Sequence, residues 1–479
     1  MPEFLKGNPL FSSRQTLEGE IRRLGLIIPL EPEVRELLRP ASIAGRKAGN
    51  RFVIHPMEGC DGTLDGKPDE ITYHRWGLFA RGGAKILWGE ACAVVPEGRA
   101  NTRQLLFSQG NYDTLARLVA WAREEHRKSC GTADDFLIGL QLTHSGRFAF
   151  PTPSVIVRDP VIDPFARMGK ERRPIPAEFP VLSDAQLDRL QDAYVEAARM
   201  SRDMGCDFVD LKQCHRYLLN EMLGARTRPG KYGGSLENRT RFMRTLLGRI
   251  RSEVGKDLIL ATRMNIFDAV PFVKNAAGTG EPVPHPKPYL NAFGSNPENP
   301  LEPDLREPIE AIRLFREAGL QFLNISAGCP YYNPHFLRPA DTPPPDGYHM
   351  PESGLVGVDR HFRMAEEIQR AFPDLPMVGT GYSYLREYAA MAGEANVRAG
   401  RIGFVGLGRG AIAYPDWVKD LEAKGAMEKL KSCITVSYCT TLMRSKDNEL
   451  GQYAAGCVPR DPVYGKLLQE IRKKERQKA

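Results

Sequence analysis

Residues 206–242 read CDFVDLKQCHRYLLNEMLGARTRPGKYGGSLENRTRF. The stretch opens on Phe208, Val209, Asp210 and Leu211, an apolar-rich run short enough for a strand buried in a sheet. Three polar side chains follow at the end of that run: Lys212, His215 and Tyr217. A donor that binds an oxygen, beside a phenol that can give up a proton, is what reduction of a polarised double bond requires. Next comes Tyr232-Gly233-Gly234-Ser235, a glycine turn feeding a serine able to cap a helix from Leu236.

The same unit recurs along the chain. Short apolar runs at 52–54, 85–88, 137–142, 208–211, 258–261, 322–325, 376–378 and 402–405 read as strands. Amphipathic runs beginning near Ile71, Tyr112, Ser183, Leu236, Leu305, Arg360, Leu385 and Pro415 read as the helices between them. Ser183 and Gln186 form a capping box ahead of the third. Eight strands, each followed by a helix, predict a (β/α)8 barrel, a TIM barrel in the α/β class. An open doubly wound sheet is the other arrangement, and eight units over this length favour closure. Residues 1–48 read as an N-terminal arm, 49–425 as the barrel and 426–479 as a C-terminal extension. The connections after strands three, five and six (143–182, 265–304 and 327–359) far exceed the ~2–6 residues usual for such loops. All three leave carboxyl ends of strands, where barrels carry their chemistry, so they predict a cap of ordered loops over a pocket.

Composition narrows the class. The 479 residues are 42% apolar and 26% charged, as in an ordinary water-soluble globular chain. The net charge of +7 is dispersed, and the densest basic run, 472–476, reads as a solvated helix end, so no nucleic-acid partner is expected. The first 30 residues lack an uninterrupted apolar core, and no stretch approaches a membrane span, so neither a leader nor a membrane partner is expected. Nine scattered cysteines favour a reducing, cytoplasmic setting. A homo-oligomer remains open.

With the strand ending in Lys212, His215 and Tyr217 and the Tyr232-Gly233-Gly234-Ser235 turn in place, the chain resembles the old yellow enzyme family of NADH:flavin oxidoreductases. In that family the fourth strand ends in His-x-x-His/Asn-x-Tyr and is followed by Tyr-Gly-Gly-Ser. The resemblance covers about 50–419 and is nearest the branch of dienoyl-CoA reductase and trimethylamine dehydrogenase, without their appended FAD/NAD domain. It departs at Lys212, where the family has its first histidine, and at Gly230, where the family usually has Asp.

The resemblance implies FMN. Gln141, in Gln141-Leu142-Thr143-His144-Ser145-Gly146-Arg147, and Arg263, ending strand five, match the family's flavin contacts. Pro56, Met57 and Glu58 fall beside the flavin's reactive edge, Cys60 is a nearby thiol, and Ala91 is the small residue after strand two. The phosphate falls to Gly381 of Gly379-Thr380-Gly381 and to Gly408 and Arg409 of Gly406-Leu407-Gly408-Arg409-Gly410, loops whose amides and following helices suit an anion. Some relatives hold a four-iron cluster after the barrel. Here Cys433, Cys439 and Cys457 are out of step with that pattern and Val436 stands at its second ligand, so no metal is expected.

The activity implied is hydride transfer from NADH or NADPH, through FMN, to an activated carbon–carbon double bond of a small molecule. His215 and Lys212 would bind the substrate's oxygen and Tyr217 would protonate carbon; an ammonium at 212 suits an anionic oxygen. Two other readings stand: an oxidative amine dehydrogenase or demethylase, and an FMN barrel without redox chemistry. Lys212 and Glu58, leaving strands four and one at one rim, are expected to pair when the site is empty, the alternative being that each finds a separate partner in the long cap loops.

Overall fold

In a computed structural model that describes residues 8–344, 346–445 and 449–478, the eight apolar runs form eight parallel strands. They are β1 (Phe52–Ile54), β2 (Ile86–Ala93), β3 (Leu137–Thr143), β4 (Phe208–Leu211), β5 (Ile259–Asn265), β6 (Phe322–Ser326), β7 (Met377–Gly379) and β8 (Phe404–Leu407). Each pairs with the next, and β8 returns to β1 with Gly406 opposite Val53, which closes the barrel. Helices α1 (Glu70–Arg81), α2 (Tyr112–Cys130), α3 (Asp184–Asp203), α4 (Leu236–Glu253), α5 (Arg306–Glu317), α6 (Gly354–Ala371), α7 (Ala389–Arg398) and α8 (Trp417–Lys424) alternate with the strands.

Side chains on a strand alternate between the barrel interior and the helix layer. The interior floor is apolar: Val53, Ile86, Trp88, Leu137, Phe208, Ile259, Phe322, Val378 and Phe404 pack together. A hairpin of Ala41–Ile43 and Arg46–Ala48 adds Ile43 and Ala48 to that floor. Two residues further along several of these strands, the same alternation turns polar. Gln141 follows Gly139, Asp210 and Lys212 follow Phe208, Arg263 follows Ala261, and Asn324 and Ser326 follow Phe322. The barrel is therefore a sealed apolar cup with a polar mouth.

Two helices begin elsewhere than their periodicity predicts. Helix α6 starts at Gly354 rather than near Arg360, because Ser353 caps it with a hydrogen bond from the Leu355 amide. Helix α7 starts at Ala389 rather than near Leu385. A 3-10 segment, Tyr382–Tyr388, precedes it and is broken at Arg386, whose φ of 54° is left-handed. That residue is held there by Asp341, 2.9 Å away, on the loop after β6. Strand β2 also runs on to Ala93, beyond the expected four residues, through a register shift between Trp88 and Ala91. The long loops after β3 and β5 each carry a short hairpin (Arg167–Met168 with Arg173–Pro174, and Phe272–Lys274 with Gly280–Pro282).

Candidate active site

A cavity of about 810 Å³ opens at the carboxyl ends of the strands. Its wall includes Pro56, Met57, Glu58, Gln141, Lys212, His215, Tyr217, Arg263, Gly381, Gly408 and Arg409. The sequence-predicted set thus converges on one pocket, with one exception: Ala91 is buried in β2 and does not line it. Cys60 is likewise buried off the wall.

The turn after β4 aims the polar trio. His215 and Arg216 both adopt left-handed backbone, with φ of 66° and 59°. Each such residue costs on the order of 1–3 kcal/mol and persists only when its surroundings impose it. Here the Arg216 amide donates to Asn220 Oδ1 at 2.6 Å, its guanidinium meets Asp268 at 2.8 Å, and the His215 amide donates to Asn265 Oδ1 at 3.3 Å. The reversal brings Lys212 and Tyr217 onto the same wall, with the Lys212 ammonium 4.2 Å from the centre of the Tyr217 ring. The Tyr217 hydroxyl shares a 2.7 Å hydrogen bond with that of Tyr331, which follows β6. His215 Nε2 lies 3.3 Å from Ser326 Oγ. Burial, together with the charges of Lys212 and Arg263, drives the His215 pKa well below 6.5, so the ring is neutral. Burial likewise raises the Tyr217 phenol well above 10, so it holds its proton at neutral pH.

Asp210, one layer below, is the organiser that sequence reasoning missed. Fully buried, it accepts from Trp88 Nε1 at 2.7 Å, Gln141 Nε2 at 2.5 Å and the Arg263 amide at 2.6 Å. It thereby fixes the amide of Gln141 and the start of the Arg263 side chain. The signal was an aspartate inside an apolar strand, which a buried sheet tolerates only with several donors.

Lys212 and Glu58 do not pair. Glu58 accepts instead from the Asn101 side-chain amide and, at 3.8 Å, from the Cys60 thiol. Asn101 arrives on the loop after β2, close enough to satisfy Glu58 without the lysine. Burial raises the Glu58 carboxyl to about 7 against the opposing pull of Lys212. Lys212, only 5% exposed, has its own pKa lowered by burial. Among the described residues no carboxylate lies within 4.0 Å of Lys212, Arg263, Arg338 or Arg409.

That shortage of counter-charge is a test for a bound anion. Arg263 Nε and Arg409 Nη1 are buried without a hydrogen-bond partner. Arg338, on the loop after β6, is pushed down to about 10 by burial and by the charge of Arg409. Around them, Thr380, Gly381, Ser383, Gly406 and Gly408 line the cavity, and a Cβ on Gly408 would meet Met57 Sδ at 3.4 Å and His55 Cβ at 4.0 Å. The residues fit a flavin mononucleotide: Gln141 and Arg263 line the cavity as side-chain donors, and Arg338 and Arg409, two arginines without carboxylates, line it together with Gly381 and Gly408 and could be neutralised by a phosphate. One detail differs from expectation. The helix after β8 is only Arg409–Ala413, and the Gly408 and Gly410 amides already donate to Ser383 Oγ at 3.2 and 3.1 Å. The arginines, rather than helix amides, carry the local positive charge.

The C-terminal extension also enters the site. Cys439, Thr440, Met443, Arg444, Gln452 and Ala455 line the cavity. The segment is tied down by Ala455 N to Gly59 O at 2.7 Å, Thr102 Oγ1 to Leu450 O at 2.7 Å and Arg338 to Thr440 Oγ1 at 2.7 Å. Cys433, Cys439 and Cys457 gather around a separate cavity of about 30 Å³, and among the described residues no group of three His, Cys, Asp or Glu side chains is arranged to hold a metal ion. No described helix is long and apolar enough to cross a membrane.

Comparison with known proteins gives the same picture. A model of the NADH:flavin oxidoreductase / NADH oxidase family matches residues 36–281. The chain is 27% identical over 391 residues to an NADH oxidase of Thermoanaerobacter brockii, covering 81% of this chain but only half of that protein's length. It is 26% identical over 350 residues to an NADPH dehydrogenase of Geobacillus sp. strain WCH70, covering 70% of this chain and 86% of that one. The fold superposes on a 2-naphthoyl-CoA reductase in complex with 2-naphthoyl-CoA with a TM-score of 0.66 at 19% identity, over 90% of this chain and 58% of that one.

Proposed function

The chain belongs to the NADH:flavin oxidoreductase / NADH oxidase family, and from that premise we propose that it binds FMN in the barrel mouth, draws electrons from NADH or NADPH, and reduces an activated carbon–carbon double bond of a small molecule. The observation that carries this reading is the convergence of a protonated phenol, a neutral imidazole and an unpaired ammonium on one cavity rimmed by unpaired guanidinium groups.

In this reading Gln141 and Arg263 hold the flavin ring system, with Pro56, Met57 and Glu58 along its edge. Gly381, Gly408 and Arg409, joined by Arg338, hold the phosphate. Bound FMN supplies two-electron transfer between nicotinamide and substrate. The chain's own residues do the rest. His215, neutral, and Lys212, charged, bind the oxygen that polarises the double bond, and the ammonium stabilises negative charge developing there. Tyr217 gives its hydroxyl proton to the carbon next to the polarising group, and its raised pKa keeps that proton in place until carbon becomes basic enough to take it. Because Lys212 has no carboxylate partner, substrates whose activating oxygen is anionic, such as enoates, suit the pocket better than a histidine pair would allow.

Tyr217→Phe tests the reading. Reoxidation of the reduced enzyme by 2-cyclohexenone should slow by about 10²–10⁴-fold, the usual loss of a general acid, while reduction by NAD(P)H stays within about threefold. Equal slowing of both half-reactions would show that Tyr217 shapes the site and donates nothing.

A further inference from the structure

Tyr217 is buried, at 4% exposure, yet it must recover a proton after every turnover. Its hydroxyl has one hydrogen-bond partner among the described residues, the hydroxyl of Tyr331 at 2.7 Å. Tyr331 differs in the respect that matters: it is 40% exposed. It is also held firmly. Its ring stacks on Phe148 at 4.1 Å and 24°, and lies nearly parallel to the Tyr217 ring at 6.2 Å and 19°. Against the Tyr217 ring lie the Lys212 ammonium, which sits over the ring face 4.2 Å from its centre and makes no hydrogen bond to the hydroxyl, and the Phe148 ring, which has no exchangeable proton.

We propose that Tyr331 is the proton relay of this site, carrying a proton from solvent to the buried Tyr217 hydroxyl between turnovers. The inference rests on the reading of Tyr217 as proton donor and adds a residue that the reading does not need for its chemical step. The proton balance is simple. The Tyr217 O–H bond breaks as a C–H bond forms on the substrate, which has taken its hydride from the flavin. The Tyr331 O–H bond then breaks as the Tyr217 O–H bond re-forms, and water at the exposed side restores Tyr331. Net, one hydride from NAD(P)H and one proton from water enter the product. Burial raises the pKa of both phenols, so a tyrosinate left at Tyr217 would be costly, and rapid replacement of its proton matters for turnover. The Lys212 ammonium beside the Tyr217 ring lowers the cost of that transient charge.

The test separates the first turnover from those that follow. In Tyr331→Phe the ring still stacks on Phe148, but the relay hydroxyl is gone. A single reoxidation of pre-reduced holoenzyme by 2-cyclohexenone should stay within about threefold of the unmodified protein, since Tyr217 already carries its proton. Steady-state turnover should fall at least about tenfold. In Tyr331→Ala, which opens space beside Tyr217, added imidazole should recover most of the lost turnover. Unchanged steady-state turnover in Tyr331→Phe would overturn the relay. So would equal loss in both regimes with no rescue by imidazole, which would make Tyr331 a packing residue. If instead Tyr217→Phe reoxidises normally, it is the assignment of Tyr217 as donor that fails, and that result reads differently from either of these.

Discussion

Arg75 of α1 and Arg263 of β5 are buried to a similar degree, at 3% and 5% exposure, and end in opposite surroundings. Arg75 Nε meets Asp61 at 2.8 Å, a second nitrogen bonds Glu90, and a third donates to Met57 O at 3.2 Å. Burial alone would lower its pKa, but Asp61 and Glu90 outweigh that and hold it well above that of an ordinary arginine. Arg263 has only a long contact to Pro56 O, at 3.4 Å, and burial lowers its pKa. The first guanidinium is complete and belongs to the fold, pinning the Met57–Glu58–Gly59 loop from behind. The second is incomplete and belongs to the cavity, in company with Lys212, Arg338 and Arg409. A buried cation without a carboxylate is costly unless something else completes it, and that cost marks the functional site.

The contrast makes four predictions, in falling order of size. Arg75→Met leaves Asp61 and Glu90 buried and unpaired, so unfolding free energy should drop by roughly 3–5 kcal/mol, read by denaturant titration; a loss under about 1 kcal/mol would break the distinction. Arg409→Ala should barely alter the stability of flavin-free protein but weaken FMN binding about 100-fold, or about 2.7 kcal/mol, by fluorescence titration. If stability falls and flavin affinity does not, Arg409 is structural after all.

Glu58→Gln sharpens the picture for the acidic side of the pocket. The folded-state pKa of Glu58, about 7, lies above the 4.5 of an unfolded glutamate, so the native state holds the proton more tightly. The carboxyl is therefore harmless to folding below pH 4.5, and its stability contribution is lost as pH rises through 7. Relative to the unmodified protein, Glu58→Gln should gain about 2–3 kcal/mol between pH 5 and pH 8; a difference that stays flat with pH would show that Glu58 is ionised throughout. The smallest effect is that of Lys212→Met, which removes an unpaired buried charge. Flavin-free protein should become more stable by about 1 kcal/mol, while affinity for a carboxylate ligand such as cinnamate falls. A loss of stability instead would mean that Lys212 has a partner in solution.

The strands were legible in the sequence because a strand buried on both faces must be a short apolar run, and the eight runs are separated by amphipathic ones. The trio Lys212, His215 and Tyr217 was legible for a related reason: polar residues crowd the end of such a run only where the barrel opens. What escaped depends on contacts between distant parts of the chain. Nothing near Glu58 announces that Asn101 will reach it, so the sequence left pairing with Lys212 and separate partners side by side, and the pairing is the one the structure does not show. Arg386 could not be seen to break a helix without Asp341 beside it. Tyr331 and Arg338 sit on the loop after β6 and Ser383 in the 3-10 segment after β7, whose directions are set by tertiary packing. Asp210 was visible as an oddity, but its three donors come from three other strands.

The docking of residues 439–445 and 449–455 onto the mouth of the barrel has a consequence for the order of events during synthesis. Strands, helices and the arginines of the rim are all made before residue 425, yet the pocket wall includes Thr440, Met443, Gln452 and Ala455, and Ala455 is the residue that clasps Gly59. A ribosome that has released the whole barrel has still released only an open bowl. Capture of a cofactor with high affinity therefore waits for the segment around Ala455 to emerge and fold back onto Gly59, so flavin loading follows synthesis of the barrel and does not accompany it.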